Sequence, residues 1–217
     1  MERRATTLSR MDSLFAFIMS PLTAPARDPD EIELIDGRRV RVSPVRPQDA
    51  DAERDFVGAL SMTSRYRRFH FGLRELTPEQ SRAMTEIDQH HHVALVARPS
   101  ASDPEAEIVA DARYVLRADS ADAEFAIAVA DGWQGAGLGR ALLTRLAAHA
   151  REHGVRRLFG DVLWGNPSML ALVRSMGAQL ARNPGDATSV RVEFVFDDVE
   201  PSAATPIESV LDHHLTP

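Results

Sequence analysis

The sequence predicts a mixed α/β domain in which helices flank one central sheet. Segments rich in β-branched and aromatic residues, such as 108–117 and 190–196, alternate along the chain with segments of helical periodicity. A glycine-rich turn over 134–139 separates a predicted strand over 124–129 from a predicted helix over 140–153. Because strands and helices alternate in a mixed order, we expect them to build a single sheet.

In the N-terminal half, turn and capping residues mark where the elements begin and end. Asp36-Gly37 separates two strand-like segments, which predicts a hairpin. Thr77 is followed by a proline and, at the third position, by a glutamine, which is typical of a capped helix start. The predicted elements are strands over 32–35 and 40–42 and helices over 47–60, 61–69 and from 77 to about 87.

The C-terminal half alternates strands with helices. Leu138, Leu142, Leu146 and Ala150 recur at four-residue spacing, so the helix after the glycine-rich turn is expected to bury one face, and Gly154 marks its end. The other predicted elements are strands over 93–97, 108–117, 158–163 and 190–196, loops over 98–106 and 119–123, and a helix from 166 to about 177.

The length and composition fit one globular domain with two tails. The chain has 217 residues, of which 44% are hydrophobic and 26% charged, as in an ordinary soluble protein with a sizeable core. Residues 1–30 are punctuated by prolines and are predicted to form a flexible leader. The domain is predicted over 31–199, and 200–217 is predicted to form a loose tail.

The composition also excludes several classes of function. The absence of cysteine excludes disulfides, thiolate metal sites and cysteine nucleophiles, and it is compatible with the cytoplasm. A net charge of -7 argues against general nucleic-acid binding, whereas it suits amine substrates, which are cationic in water. The apolar run 14–19 follows Arg3 and Arg4 as in a signal peptide, but it is too short to span a bilayer. We therefore expect a cytoplasmic protein that binds neither nucleic acid nor membrane.

Gly135, Gly137 and Gly139 lie between a strand and a helix, a position that suits phosphate binding. Glycines let the backbone come close to a ligand, and the unpaired N–H groups at the start of a helix attract an anion. The turn lacks the Gly-Lys-Ser/Thr of a nucleoside-triphosphate site and does not fit the dinucleotide fingerprint. The turn therefore indicates another pyrophosphate-bearing cofactor, and the alternative is a tight turn with a purely structural role.

The pattern Gln-x-x-Gly-x-Gly that begins at Gln134 resembles the acyl-CoA signature of the GNAT superfamily of N-acetyltransferases. The resemblance extends from about residue 41 to residue 196. Four segments, 46–50, 64–69, 124–126 and 166–170, resemble the catalytic domain of bacterial Pat-type protein lysine acetyltransferases. In those proteins the domain is often fused to an acyl-CoA-synthetase-like region or a cyclic-nucleotide-binding domain, and we expect this chain to have room for neither.

The resemblance implies both a fold and an activity. The fold is a twisted, mostly antiparallel sheet that splays open at the cofactor strand and is flanked by helices. The activity is direct transfer of an acetyl group from acetyl-CoA to a primary amine, with a protein lysine as the favoured acceptor. Alternatives are a small-molecule amine acceptor and a non-catalytic acyl-CoA-binding regulatory module. A homodimer is common among relatives, although no residue of this chain establishes one.

The resemblance also assigns cofactor contacts. Residues 127–129 are expected to contact the pantetheine arm, and the glycine-rich turn with Arg140 is expected to surround the pyrophosphate. Ala136 is a departure, because the family often has arginine there; Arg140 either supplies that charge or faces solvent. Asn166 is either a cofactor contact or a helix cap. The full set is Ile127, Ala128, Val129, Gln134, Gly135, Ala136, Gly137, Leu138, Gly139, Arg140 and Asn166.

Transfer to an amine requires that the amine lose a proton, since a free lysine has a pKa near ~10.4. Glu124, at the start of the cofactor strand, is the candidate base by resemblance, and the alternative is an ordinary polar residue at a strand entrance. The Val129 N–H is the family-like donor to the oxyanion. Related enzymes often use a tyrosine from the 166–177 helix as general acid, but this helix contains none. The acid is left open between Ser168 and water.

Two further clusters have more than one interpretation. His90, His91 and His92 are adjacent on a predicted strand entrance and alternate faces, so they are not expected to chelate one metal ion. They remain either surface residues or a substrate-side or second-base group. The arginines of 64–69 lie among aromatic residues, as in a nucleic-acid patch, but ion pairing within an acidic protein is favoured.

Overall fold

The computed structural model describes residues 30–100, 107–118, 120–183 and 185–196. Apart from Asp30, the predicted leader over 1–30 and tail over 200–217 lie outside these ranges. The strands are β1 (Glu31–Glu33), β2 (Arg39–Pro44), β3 (His92–Pro99), β4 (Ala110–Leu116), β5 (Asp122–Val129), β6 (Arg157–Leu163), β7 (Gln179–Arg182) and β8 (Ser189–Val195). The helices are α1 (Ala50–Ala59), α2 (Met62–Phe69), α3 (Pro78–Thr85), α4 (Leu138–Glu152) and α5 (Pro167–Ser175). Short 3₁₀ turns occupy Pro47–Asp49 and Asp131–Trp133.

The eight strands form one sheet, in the order β1-β2-β3-β4-β5-β6-β8-β7. Every neighbouring pair is antiparallel except β5 and β6, which are parallel. The predicted mixed, mostly antiparallel sheet is therefore confirmed. The parallel pair is possible because α4 connects the two strands and returns the chain to the same end of the sheet.

The sheet opens between β5 and β6. These strands pair only at Asp122–Arg157, Ala123–Leu158 and Glu124–Phe159. Beyond Glu124, β5 continues to Val129 with β4 alone as its partner, while β6 continues to Leu163 with β8. The two central strands therefore diverge after Glu124 and leave a gap in the sheet.

Close contact between Phe125 and Gly160 marks the point of divergence. A Cβ placed on Gly160 would lie 3.0 Å from both the ring and the carbonyl oxygen of Phe125. Only a residue without a side chain allows β6 to pass Phe125 at this distance. The Phe125 ring in turn packs on Phe194 of β8, with 6.0 Å between ring centroids.

Helices cover both faces of the sheet. On one face α4 buries Leu142, Leu146 and Ala150 against the larger core cluster, which confirms the predicted four-residue spacing. On the other face α1 buries Phe56 and Val57 against Ala94 and Val96 of β3, within a second cluster. No helix among the described residues has the length and apolar character needed to cross a membrane.

Most predicted boundaries hold to within a few residues, and the exceptions have physical causes. The hairpin at Asp36-Gly37 and the capping box from Thr77 to Gln80 are confirmed. The segment predicted as a helix from residue 47 opens with a 3₁₀ turn, and α4 begins at Leu138 rather than at Arg140. The strand β7 was not predicted, because its four residues are largely exposed and carry no apolar alternation.

We expect Gly160→Ala to destabilise the protein by about 1–3 kcal/mol, since the added methyl group overpacks the junction against a backbone carbonyl. Gly165→Ala is the matched control, because no described atom outside Gly165 and its two chain neighbours lies within 4 Å of the place that its added methyl group would take. Urea unfolding of the two variants gives the comparison. Equal free energies of unfolding would show that the junction tolerates a side chain.

Candidate active site

A cavity of about 600 Å³ lies at the gap between β5 and β6. Its wall includes β5 from Glu124 to Val129, the glycine-rich turn, and residues of α2, β6 and α5. Ten of the twelve predicted site residues line it. They are Glu124, Ile127, Ala128, Val129, Gln134, Gly135, Gly137, Gly139, Arg140 and Asn166.

The edge of β5 offers backbone groups to this cavity. The Ala130 N–H donates to the Val109 carbonyl at 2.9 Å, which fixes the direction of alternate peptide groups along the strand. The N–H and C=O groups of Ile127 and Val129 therefore point into the gap, where β6 has moved away. Those of Ala128 point to β4, so Ala128 cannot offer its peptide groups to a ligand in the gap.

Gln134 joins the end of β5 to α2. Its side-chain amide donates to the Val129 carbonyl at 3.0 Å and to the Ser64 hydroxyl at 3.2 Å. The Ser64 hydroxyl also donates to Asp131, which accepts from the Ser61 backbone and side chain as well. The glutamine of the motif thus holds the glycine-rich turn against the first turn of α2.

The glycine-rich turn leads into α4 with an open N-terminus. Gly135 and Gly137 have φ values of +77° and +92°, which side-chain-bearing residues rarely adopt. Gly137 is the N-cap of this 15-residue helix and provides no side chain to bond the first N–H groups. Such a helix end fits a phosphate group through its N–H groups and its partial positive charge.

Ala136 and Leu138 differ from the other predicted contacts. Both side chains are buried in the core, and neither residue lines the cavity, whereas the glycines on either side of them do. The Ala136 carbonyl accepts a hydrogen bond from the Ile35 N–H at 3.1 Å. Any contact of these two residues with a ligand would be made by their backbone N–H groups.

Arg140 and Asn166 each combine a structural contact with a place on the cavity wall. Arg140 donates to the hydroxyl of Ser175 and so links α4 to α5. The Asn166 side chain accepts from the Met169 N–H at 3.3 Å and caps α5. The helix-cap interpretation of Asn166 is therefore confirmed, and its side chain also lines the cavity.

Glu124 lies at the apex of the gap, in the last residue pair that joins β5 to β6. Its side chain is exposed to the cavity and makes no hydrogen bond or ion pair with the residues that the structure describes. Asp161, a second cavity carboxylate, is instead held by Arg191 at 2.5 and 3.1 Å. Of these two carboxylates, Glu124 is therefore the one available to accept a proton.

A buried cluster of charged side chains lies behind the cavity wall. Arg113 donates to Asp111 at 2.6 and 3.0 Å and to Glu53 at 3.3 Å. Arg68 lines the cavity and lies 3.9 Å from the Asp111 carboxylate. One Glu53 oxygen has no hydrogen-bond partner among the described residues. Burial, together with repulsion from Asp111, raises the pKa of Glu53 to about 8.

The buried cluster carries one more positive than negative charge next to the cavity wall. With Glu53 protonated at neutral pH, Arg68 and Arg113 are opposed within the cluster by Asp111 alone. Burial lowers the pKa of Arg68, while the carboxylates of Asp111 and Glu124 counter that shift. The Glu124 carboxylate, which faces the cavity, thus offsets the remaining positive charge of the cluster.

His90, His91 and His92 do not form part of the cavity wall. The backbone N–H groups of His90, His91 and His92 all donate to Asp88, at 2.9, 2.9 and 3.0 Å. His91 also contacts Asp88 through its ring at 2.8 Å, and His92 lies 3.3 Å from Arg113. In the described ranges, no three His, Cys, Asp or Glu side chains lie together as metal ligands.

The arginines of α2 serve separate local contacts. Arg65 donates to carbonyls at the end of α1, including that of Leu60, and Arg67 donates to the Gly165 carbonyl at 2.8 Å. Within the part of the chain that the structure describes, Arg68 is the one arginine of α2 that makes the expected ion pair, with Asp111. No signal in the sequence indicated that Asp161 of β6 would share one cavity with Arg67 and Arg68 of α2, because these two elements are far apart in the chain.

Neither tyrosine lines the cavity. Tyr114 is fully buried, with its hydroxyl 3.0 Å from His149, and burial raises its pKa to about 12. Tyr66 is half exposed and lies outside the cavity wall. Ser168, the predicted alternative for the general acid, does line the cavity.

Comparison with known proteins identifies the family. Residues 59–178 match the acetyltransferase (GNAT) family. An acetyltransferase of Pseudomonas aeruginosa is 32% identical over 157 residues, which are 72% of this chain and 84% of that protein. The chain belongs to the GNAT family. It is an acyl-CoA-dependent N-acetyltransferase, and the family uses acetyl-CoA as its cosubstrate.

The similarity extends to GNAT proteins named Pat. The acetyltransferase Pat of Mycolicibacterium smegmatis is 32% identical over 186 residues, or 84% of this chain, which spans about half (53%) of that protein. The GNAT domain of S. lividans PAT shares the fold with a TM-score of 0.69 and 30% identity, over 76% of this chain and 96% of that one. A cAMP-binding acyltransferase from Mycobacterium smegmatis has a TM-score of 0.54 and 27% identity, over 84% of this chain and 50% of that one.

The raised pKa of Glu53 makes stability depend on pH. Between pH 4.5 and about 8 the folded protein holds a proton that the unfolded chain has released, so stability falls as pH rises through this window. We expect Glu53→Gln, which stays neutral, to gain stability relative to wild type as pH increases. Thermal unfolding at several values from pH 5 to pH 9 measures this difference.

The exposed Glu75→Gln variant is the control, because its unfolding temperature should follow that of the wild type at every pH. Parallel curves for Glu53→Gln and the wild type would show that Glu53 is ionised throughout this range in the folded protein.

Proposed function

We propose that this chain transfers the acetyl group of acetyl-CoA directly to a primary amine, with a protein lysine side chain as the favoured acceptor. The observation that carries the proposal is the Glu124 carboxylate at the apex of the gap, which makes no hydrogen bond or ion pair with the residues that the structure describes. From there the free edge of β5 leads toward the glycine-rich turn and the N-terminus of α4. A base, an extended strand edge and a phosphate-binding helix end thus lie along one cavity.

The strand edge and the turn fit the parts of acetyl-CoA in order. The peptide groups of Ile127 and Val129 would bond the amides of the pantetheine arm, much as an added strand bonds to a sheet edge. The N–H groups of the glycine-rich turn would hold the pyrophosphate. Arg140 would supply a cation next to it, in place of the arginine that the family often has at the position of Ala136.

Each protein group then has one task in the reaction. The thioester supplies an acetyl group that is already activated for attack by nitrogen. Glu124 accepts a proton from the ammonium, directly or through water, so that the neutral amine can form the new C–N bond as the C–S bond breaks. An N–H group of the free β5 edge near the thioester donates to the oxyanion. The second proton, which the nitrogen loses as the amide forms, passes through Ser168 or water to the sulfur of CoA.

Neutralising a lysine at pH 7 costs about 4.6 kcal/mol, because its pKa is near ~10.4. Glu124 lowers this cost by receiving the proton where the amine reacts. Asp161 remains bound to Arg191 and does not compete for the proton. The net charge of -7 also favours the approach of a cationic acceptor.

A second groove supports a polypeptide acceptor over a small amine. It lies beside the cavity, has a volume of about 580 Å³ and is largely apolar, with Met62, Tyr66 and Phe71 exposed along it. Arg67 borders both spaces. A small amine would leave this groove empty, whereas the residues that flank a lysine in a polypeptide would cover its exposed apolar side chains.

We expect Glu124→Gln to lower kcat by about 10²- to 10⁴-fold while leaving the acetyl-CoA Kd unchanged, since the amide keeps the shape of the side chain but accepts no proton. Acetylation rates with lysine-containing peptides and with free polyamines measure the effect and rank the acceptors. Glu75→Gln is the control for loss of a surface carboxylate.

Three outcomes separate the candidates. Turnover of polyamines but not of peptides would favour a small-molecule enzyme. Binding of acetyl-CoA without turnover of any amine, and with no effect of Glu124→Gln, would favour a regulatory acyl-CoA-binding module. A lower acetyl-CoA affinity in the variant would place Glu124 in cofactor binding rather than in proton transfer.

A further inference from the structure

Ile35 has a large aliphatic side chain that is exposed to solvent in the folded protein. It lies in the β1–β2 hairpin loop and is 86% exposed. Isolated exposed apolar residues are common on protein surfaces. Ile35, however, lines the same cavity as Glu124 and the glycine-rich turn, and it lies before the 59–178 segment that matches the family.

Ile35 contacts the turn at the point where α4 begins. Its Cδ1 atom lies 3.2 Å from the position that a Cβ on Gly137 would occupy. Its backbone N–H donates to the Ala136 carbonyl at 3.1 Å. The side chain therefore stands beside the open helix end, with most of its apolar surface turned away from the protein.

Arg38 holds the hairpin loop in this place. Its guanidinium donates to the Gly132 carbonyl at 3.0 Å and lies 4.1 Å above the ring of Trp133. Asp36 fixes the guanidinium at 2.6 Å, and the hydrogen bond from Arg38 lowers the pKa of that carboxyl. The loop is thus joined to the residues before the glycine-rich turn and to those within it.

The position along the cavity indicates which part of a ligand Ile35 meets. Glu124 marks the reacting end, and five residues of extended strand, roughly 17 Å, separate it from Val129. Ile35 lies beyond that strand, at the helix end suited to phosphate. A ligand that reaches from Glu124 past the glycine-rich turn would cover it.

We propose that Ile35 is a binding residue for the outer half of acetyl-CoA, from the pantoate unit to the nucleotide, presented by a hairpin that Arg38 ties to the glycine-rich turn. The inference rests on the proposed function, because it takes acetyl-CoA as the ligand of the cavity. It adds a contact from the N-terminal hairpin to a site otherwise formed by α2, β5, β6, α4 and α5.

Two substitutions and two thioesters test this role. Ile35→Ser removes the apolar surface, whereas Ile35→Leu keeps it. Acetyl-CoA carries the outer half, whereas S-acetyl-N-acetylcysteamine keeps the thioester and lacks both pantoate and nucleotide. The measurements are the Kd for acetyl-CoA and kcat/KM with each thioester, at one fixed acceptor concentration.

We expect Ile35→Ser to weaken acetyl-CoA binding about tenfold, because the variant loses most of an aliphatic side chain that the bound ligand would cover. The kcat/KM for acetyl-CoA should fall by about the same factor. Ile35→Leu should stay within about twofold of wild type. Neither change should alter kcat/KM for the short thioester or the unfolding temperature of the free protein, because Ile35 is exposed.

An unchanged acetyl-CoA Kd in Ile35→Ser would overturn the inference while leaving the proposed function intact. An equal loss with both thioesters would also overturn it, since the effect would then arise at the reacting end. Failure of the wild-type protein to bind acetyl-CoA would refute the proposed function together with the inference.

Discussion

The divergence of β5 and β6 after Glu124 is the constraint on which the rest of the site depends. While the strands are paired, their peptide groups bond each other; once they separate, the groups of Ile127 and Val129 face an open cavity. The separation starts where Phe125 passes Gly160 at a distance that only glycine allows. A core contact between two strands thus creates both the binding edge and the location of the carboxylate at its apex.

The two ends of the cavity carry opposite charge. The end of the cavity at α4 offers the first N–H groups of the helix and a partial positive charge, while the other end offers the Glu124 carboxylate. Behind the wall, Arg113 and Arg68 share Asp111, and Glu53 is held in its neutral form by burial. An anionic phosphate and a cationic amine therefore have distinct places, about the length of five strand residues apart.

Local signals in the sequence were sufficient for most of the elements, though not for β7, and for ten of the residues that line the cavity. The cap at Thr77, the leucine spacing of α4 and the motif at Gln134 each depend on residues close together in the chain. The charged cluster was not predictable in this way, because Glu53, Arg68 and Asp111 come from α1, α2 and β4 and meet only after folding. Ile35 was missed for the same reason: its loop reaches the glycine-rich turn about a hundred residues later in the chain. The resemblance to GNAT proteins predicts the glycine-rich turn as a cofactor segment, but it did not show that the side chains of Ala136 and Leu138 turn into the core.

The most direct test of the account is thermal unfolding of the wild-type protein during titration with acetyl-CoA, with free CoA and ATP as comparisons. A ligand present at a hundred times its dissociation constant stabilises the folded state by about 2.7 kcal/mol. We expect acetyl-CoA and CoA to raise the unfolding temperature, and ATP, which lacks the pantetheine arm for the edge of β5, to leave it unchanged. No shift with either CoA species would contradict this expectation and would leave the glycine-rich turn as a structural feature alone.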